Sequence, residues 1–187
     1  AKAIESLAQK GADLTRRLLA MSREDPAEAR PVNLNAAVLE ALKLLEPALP
    51  MDVRIVAELQ EDLPSINGDH IRLQQVIMNL MTNASDALEG CVGSIVVETG
   101  VIRPDDLWLN ECCYRHPELS ENCAYLKISD TGSGIEPETL RKIFDPFFTT
   151  KVTGRGLGLS ATLGIIQAHR GAIRIDSKPG KGSQFTV

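Results

Sequence analysis

The sequence predicts an α/β domain preceded by one long N-terminal helix. Three observations lead there: helical and strand periodicities interleave along residues 34–187, the readable strands alternate between apolar and polar positions, and glycine-rich stretches fall where a loop gives way to a helix. The chain has 187 residues, 43% of them hydrophobic, which suits one packed core plus an appendage. Its 20 basic and 25 acidic residues are mixed along the chain and leave a net charge of -5, which gives no field for holding DNA or a lipid surface. Any phosphate bound here must be bound locally. No apolar run approaches the ~18 residues that a membrane span requires, and the first residues do not resemble a signal peptide. A cytoplasmic location without direct membrane contact is therefore expected. Cys91, Cys112, Cys113 and Cys123 lack the density and spacing of a disulfide scaffold, which agrees with a reducing compartment.

In the first segment, residues 1–24, Ile4, Leu7, Gly11, Leu14, Leu18 and Met21 step alternately by three and four, a heptad seam that wants a partner helix. Residues 25–33, with prolines near both ends and no periodic apolar positions, read as a linker. The main domain then spans 34–187. It opens with a helix over 34–49, with Leu34, Val38, Leu42 and Leu45 inward, Asn35 as its cap, and Pro47 and Pro50 ending it. Residues 53–59 alternate as a strand, with Val53, Ile55 and Ala57 on one side.

Asp69 can cap the next helix, whose Leu73, Val76, Ile77, Leu80, Ala84, Ala87 and Leu88 form a core-facing stripe. Asn79, Asn83 and Asp86 form a second stripe, roughly 110° round from the first at ~100° per residue. That is the flank where a buried face turns toward a cleft. Residues 94–102 and 124–130 are the following strands. In the second, Asp130 shares parity with Ala124, Leu126 and Ile128, so its carboxylate is aimed inward and must find donors. The sequence Thr131-Gly132-Ser133-Gly134-Ile135 follows, and its glycines permit a tight turn and the close approach of a flat ligand.

The polar insertion over 103–122 contains Trp108 and Cys112-Cys113-Tyr114-Arg115-His116. Its thiols and imidazole, with Cys123, could hold zinc, but the usual CxxC spacing is missing. A hairpin connection with reduced surface thiols is the expectation. After a short helix over 137–143, three phenylalanines crowd into Phe144-Asp145-Pro146-Phe147-Phe148, an anchor for the mobile stretch over 149–155. Gly156-Leu157-Gly158-Leu159 opens a helix running to His169, with Leu159, Leu163 and Ile166 inward; glycine amides at a helix start suit phosphate. Strands over 172–177 and 183–187 close a hairpin about Pro179-Gly180-Lys181-Gly182. The last strand stops abruptly, so further chain is expected beyond it.

The motifs NLMTNASDA, DTGSGI, FDPFF, GRGLGLS and GKGSQF, in that order, resemble the N box, first glycine box, F box, second and third glycine boxes of the GHKL (Bergerat) ATP-binding fold. The likeness covers residues 34–187. It implies a two-layer α/β sandwich with a mixed sheet, and ATP and Mg²⁺ as cofactors. Within that superfamily the chain resembles the catalytic domain of a sensor histidine kinase of the nitrogen-regulation or hybrid type, and residues 1–24 resemble the second helix of its dimerisation hairpin. The resemblance implies that Asn83 coordinates Mg²⁺ and that Asp130 accepts a hydrogen bond from the adenine amino group. Asp86 and Ala87 of the same N box count with the nucleotide contacts. Gly132 and Gly134 would give adenine room between Ile135 and Ile143; Gly156, Leu157 and Gly158 would offer amides to the phosphates; Lys151 and Arg155 would neutralise them; Ser183 would reach adenine through water.

Asn79 is the implied catalytic discriminator. Hydrolytic relatives carry a glutamate base there, whereas an amide cannot act as a base, so slow hydrolysis is expected. His70, His116 and His169 are the only histidines, and none precedes the first helix as the family's phosphoacceptor would. The acceptor is expected outside this chain, in a homodimer-forming hairpin, with a response regulator receiver domain as the onward partner. Serine-directed kinases of the anti-sigma type share the boxes, but the heptad helix argues against them. A nucleotide-responsive interaction module also fits, although no box is visibly broken.

Overall fold

The strand that carries Asp130 lies inside a mixed six-stranded sheet, and its alternation sets which of its residues face the core. A computed structural model describes residues 30–48, 50, 52–88, 90–119, 122–151 and 154–187. The expected helix over residues 1–24 lies outside them. In chain order the elements are β1 (Arg30–Val32), α1 (Leu34–Leu45), β2 (Val53–Leu59), β3 (Ile66–Gly68), α2 (His70–Ala87), β4 (Gly93–Ile102), α3 (Asp106–Asn110), β5 (Cys112–Arg115), β6 (Cys123–Asp130), α4 (Pro137–Leu140), α5 (Gly158–Ala168), β7 (Ala172–Ser177) and β8 (Ser183–Thr186).

The large sheet runs β2-β4-β6-β8-β7-β5. Only β2 and β4 pair in parallel; every other neighbouring pair is antiparallel. Ile95, Val97, Leu126, Ile128, Ile173 and Phe185 point from one face into the core. The residues between them face the other way: Glu98 stands opposite Lys127 in register and pairs with it at 2.7 Å. One sheet face is thus apolar and covered, the other polar and wet, as an antiparallel sheet permits.

Helices α1, α2 and α5 cover the apolar face. On α2, Val76, Ile77, Leu80 and Met81 are at most 2% exposed, each such side chain stabilising the fold by ~1.5–3 kcal/mol relative to exposure. Met81 joins the expected stripe because it sits between Ile77 and Ala84 on the helix face. Asp69 caps α2 as the sequence suggests, its Oδ1 accepting from Ile71 and Arg72 amides at 2.9 and 3.2 Å.

Several local expectations are corrected. The cap of α1 is Asn33, whose extended backbone lets its Oδ1 accept from Ala36 N at 3.0 Å. Asn35 instead ties the helix to the sheet, donating to Gln60 O at 2.8 Å and accepting from Thr99 Oγ1 at 2.6 Å. The helix ends at Leu45, and residues 46–48 tighten into a 3₁₀ turn. Arg30–Val32, at the end of the expected linker, pair antiparallel with Ile66–Gly68. On β2, Ala57 is exposed while Val56 is half-buried, because this strand lies at a sheet edge. The insertion is more than a hairpin: Asp105 caps the short α3, and Cys112–Arg115 becomes the edge strand beside β7, bulged between Cys112 and Tyr114. Along α5 the buried residues are Ser160, Thr162, Ile165 and Ile166, with Leu159 and Leu163 only partly covered.

Candidate nucleotide-binding site

At the C-terminal end of α2 and β6, the inward acid, two glycine loops and the asparagine stripe come together. Asp130 is the last residue of β6 and is 8% exposed. Its Oδ1 accepts from Gly132 N at 2.8 Å and from Ser183 N at 3.3 Å. Among the described residues its second oxygen carries no hydrogen bond, so one acceptor is held rigidly and the other is left to a ligand. Burial raises the carboxyl pKa, while the two amides pull it down.

The loop after Asp130 is laced to neighbouring elements. A Cβ on Gly132 would lie 2.4 Å from Ala87 O, and Ser133 N donates to that same carbonyl at 3.0 Å. Gly134 has φ +69°, and its Cβ would meet Lys178 O at 2.1 Å. Ser177 Oγ accepts from Ile135 N at 2.8 Å and lies 3.0 Å from Ser183 Oγ. Ile135 is half-buried beside the core and Ile143 is 7% exposed. Both glycines thus let the loop pack directly on protein backbone, on Ala87 and on Lys178, and what the arrangement offers a ligand is the second Asp130 oxygen, an anionic acceptor that suits a base with an exocyclic donor.

The loop over 149–155 is anchored at both ends. Phe147 N donates to Gly156 O at 2.8 Å, and residue 156 must be glycine because its φ is +64° and a Cβ there would strike the Phe147 backbone at 2.3 Å. Phe144 and Phe148 pack on the core, whereas Phe147 remains 55% exposed. Helix α5 then starts at Gly158 with no side-chain cap on its first turn. Its leading amides are thus available to an anion, and the macrodipole favours one.

The second stripe of α2 faces this region. Asn79 Nδ2 donates to Gly158 O at 3.1 Å and Thr162 Oγ1 at 3.3 Å, tying α2 to the first turn of α5. Lys151 Nζ donates to Asn83 Oδ1 at 2.9 Å and to Asp86 Oδ2 at 2.5 Å. The expected site residues therefore converge, with one exception: Arg155 is exposed and forms no ion pair with the described residues. Sequence reasoning missed Thr162, fully buried against Asn79, and Ser177, which links the first glycine loop to β8. Neither stands in a recognisable motif. It also gave no role to Gly182, whose φ of +85° brings it against Asp130 O; its place in GKGSQF was the available signal. Among the described residues no cluster of three His, Cys, Asp or Glu side chains could hold a metal, the cysteines included.

The residues present fit a magnesium nucleotide. Mg²⁺ takes hard oxygen ligands and shares them with phosphates and water; Asn83 and Asp86 already direct oxygens at a common cation, the Lys151 ammonium. The free oxygen of Asp130 and the uncapped start of α5 match a base and a polyphosphate.

The fold and site define a nucleotide-binding α/β sandwich of the GHKL type. Residues 68–187 match the family of histidine kinase-, DNA gyrase B- and HSP90-like ATPases, and the chain belongs to that family. It is 38% identical over 171 residues to the signal transduction histidine-protein kinase AtoS of Escherichia coli K12, across 91% of this chain and 25% of that protein. It is 31% identical to the catalytic domain of the histidine kinase ThkA, with a TM-score of 0.65 over 85% of this chain and 93% of that one. A structure of ThkA in complex with the response regulator protein TrrA shares the fold, with a TM-score of 0.66 at 23% identity over 98% of this chain and 48% of that one. The chain spans only part of the length of the curated relatives it matches, from 19% to 33%, and 25% for AtoS. Among the described residues no helix is long and apolar enough to cross a membrane.

Proposed function

We propose that this chain is the ATP-binding catalytic domain of a sensor histidine kinase, passing the γ-phosphate of ATP to a histidine on a dimerisation hairpin. Onward transfer would go to an aspartate of a response regulator receiver domain, and the domain would work in the cytoplasm as part of a homodimer. The observation that carries this reading is Asn79. Its amide nitrogen is spent on Gly158 O and Thr162 Oγ1, so the position nearest the phosphate-binding turn holds a donor and not a base. Without a base to activate water, bound ATP survives until an acceptor arrives.

The remaining residues divide the work. Asp130 selects adenine through its unpaired oxygen, and Gly132, Gly134, Ile135 and Ile143 shape its surroundings, with Ser183 holding Asp130 in place. Asn83, with Asp86 and Ala87 beside it, would hold Mg²⁺, which supplies charge neutralisation on the phosphates when bound. The amides of Gly156, Leu157 and Gly158 orient the phosphates at the start of α5, with Lys151 and Arg155 as cations within the same loop.

The histidines of this chain are engaged locally, which supports an acceptor elsewhere. His169 accepts from Asp69 N at 2.9 Å and donates to Ile165 O at 2.8 Å; His70 contacts Glu40 at 2.8 Å; His116 accepts from Glu118 N at 3.2 Å. Incubating the chain with γ-labelled ATP and an intact hairpin bearing a histidine should give an acid-labile label on that histidine. An acid-stable label on serine would refute the proposal.

A further inference from the structure

Lys151 reaches across to α2 from the segment that follows Phe148. Its ammonium meets two oxygens one helical turn apart, Asn83 Oδ1 at 2.9 Å and Asp86 Oδ2 at 2.5 Å. Its backbone is shaped to do so: Lys151 N donates to Thr149 Oγ1 at 3.1 Å, and Gly154 N donates to Lys151 O at 3.2 Å. The side chains of Lys151 and Asp86 are 40% and 43% exposed, so water borders the contact and a cation there can exchange. A neutral amide oxygen, a carboxylate oxygen and adjacent water are also what a hard divalent cation seeks. The ammonium and the metal therefore compete for the same two atoms.

We propose that Asn83 and Asp86 form one cation seat, with Asp86 its second oxygen, and that Lys151 is a built-in competitor filling the seat until a metal-nucleotide complex displaces it. This rests on the nucleotide reading of the site. A divalent metal alone must expel the lysine for only two protein ligands. Metal arriving with a triphosphate brings its own oxygens and gives the freed ammonium an anion to face. Metal and nucleotide thereby favour each other's binding, and the coupling is reciprocal.

The test uses Mn²⁺ without nucleotide, read by paramagnetic broadening of assigned ¹⁵N signals of Asn83, Asp86 and their neighbours. Lys151→Met should tighten the Mn²⁺ titration at these signals about fivefold, the scale of a partly exposed ion pair. Adding Asp86→Asn to Lys151→Met should abolish the gain, and the undisturbed remainder of each spectrum reports that the fold is intact. Identical titrations for wild type and Lys151→Met, or broadening spread over unrelated acidic surface, would overturn the proposal. Calorimetry of the wild type with Mg²⁺ and a non-hydrolysable ATP analogue separates the two ideas. Nucleotide binding with unchanged Mn²⁺ titrations sinks the competitor alone, whereas absence of nucleotide binding sinks both.

Discussion

Replacing Asp130 by Asn keeps the size of the side chain and changes only what it offers a ligand. An Asn Oδ1 can still accept from Gly132 and Ser183 amides, which wild-type Oδ1 meets at 2.8 and 3.3 Å. The atom facing the ligand then becomes an NH₂ donor where a carboxylate oxygen stood. Adenine loses a charge-assisted hydrogen bond worth ~1.5–3 kcal/mol, a weakening of about 10- to 150-fold at ~1.4 kcal/mol per decade. Guanine, with a carbonyl at the corresponding ring position, does not suffer that loss, so the preference for adenine shrinks by the same factor. Stability should move the other way. Burial raises the Asp130 pKa above 3.8, so the folded chain holds this proton more tightly than the unfolded chain. Stability therefore falls as pH rises from the ordinary carboxylate value through the folded one, and the ionised acid remains a cost at neutral pH. Asn has no proton to lose. Its melting temperature at pH 7 should equal or exceed that of wild type, and the advantage should fade at acidic pH. Calorimetric titration with ATP and GTP analogues, paired with thermal melts across pH, reads both effects. Unaltered ATP affinity in a folded variant would refute the adenine role of Asp130.

Other perturbations separate binding from folding. Asn83→Ala should remove most of the Mg²⁺ dependence of nucleotide affinity while leaving the unfolding free energy within ~0.5 kcal/mol of wild type, as for a surface substitution; equal Mg²⁺ enhancement in the variant would exclude Asn83 as a ligand. Gly134→Ala forces a Cβ into Lys178 O at φ +69°, adding ~1–2 kcal/mol of left-handed strain to the clash, so both denaturant midpoint and nucleotide affinity should drop. His169→Leu leaves Asp69 N without its acceptor and should cost ~1–3 kcal/mol in chemical denaturation. Nucleotide affinity should hold in that variant, because His169 lies at the end of α5 opposite Gly158.

Local periodicity made much of the site legible. The parity of β6 alone aimed Asp130 inward, and the helical spacing of Asn79, Asn83 and Asp86 put them on one flank. What alternation could not supply was pairing at long range. β1 and β3 are three-residue strands that exist only because Arg30–Val32 and Ile66–Gly68 meet. β5 likewise exists because β7 presents an edge to Cys112–Arg115, and no apolar alternation marks its sequence. The cap on α1 was misplaced by two positions because Asn33 and Asn35 are both plausible by residue type, and only the partners Gln60 and Thr99 tell them apart. Lys151 was legible as a phosphate-facing cation but not as a partner of Asn83 and Asp86, since its side chain reaches α2 through tertiary structure alone. The thiols in the insertion illustrate the same limit. Burial and the neighbouring Cys113 push Cys112 up to about 11, which disfavours its thiolate, and composition could not reveal that.

The most direct test is a crystal structure of the chain with Mg²⁺ and a non-hydrolysable ATP analogue. The expected result is the adenine amino group against Asp130, the metal on Asn83 and the phosphates at the start of α5. A nucleotide bound elsewhere, or one seated here with Asp130 and Asn83 both untouched, would contradict it.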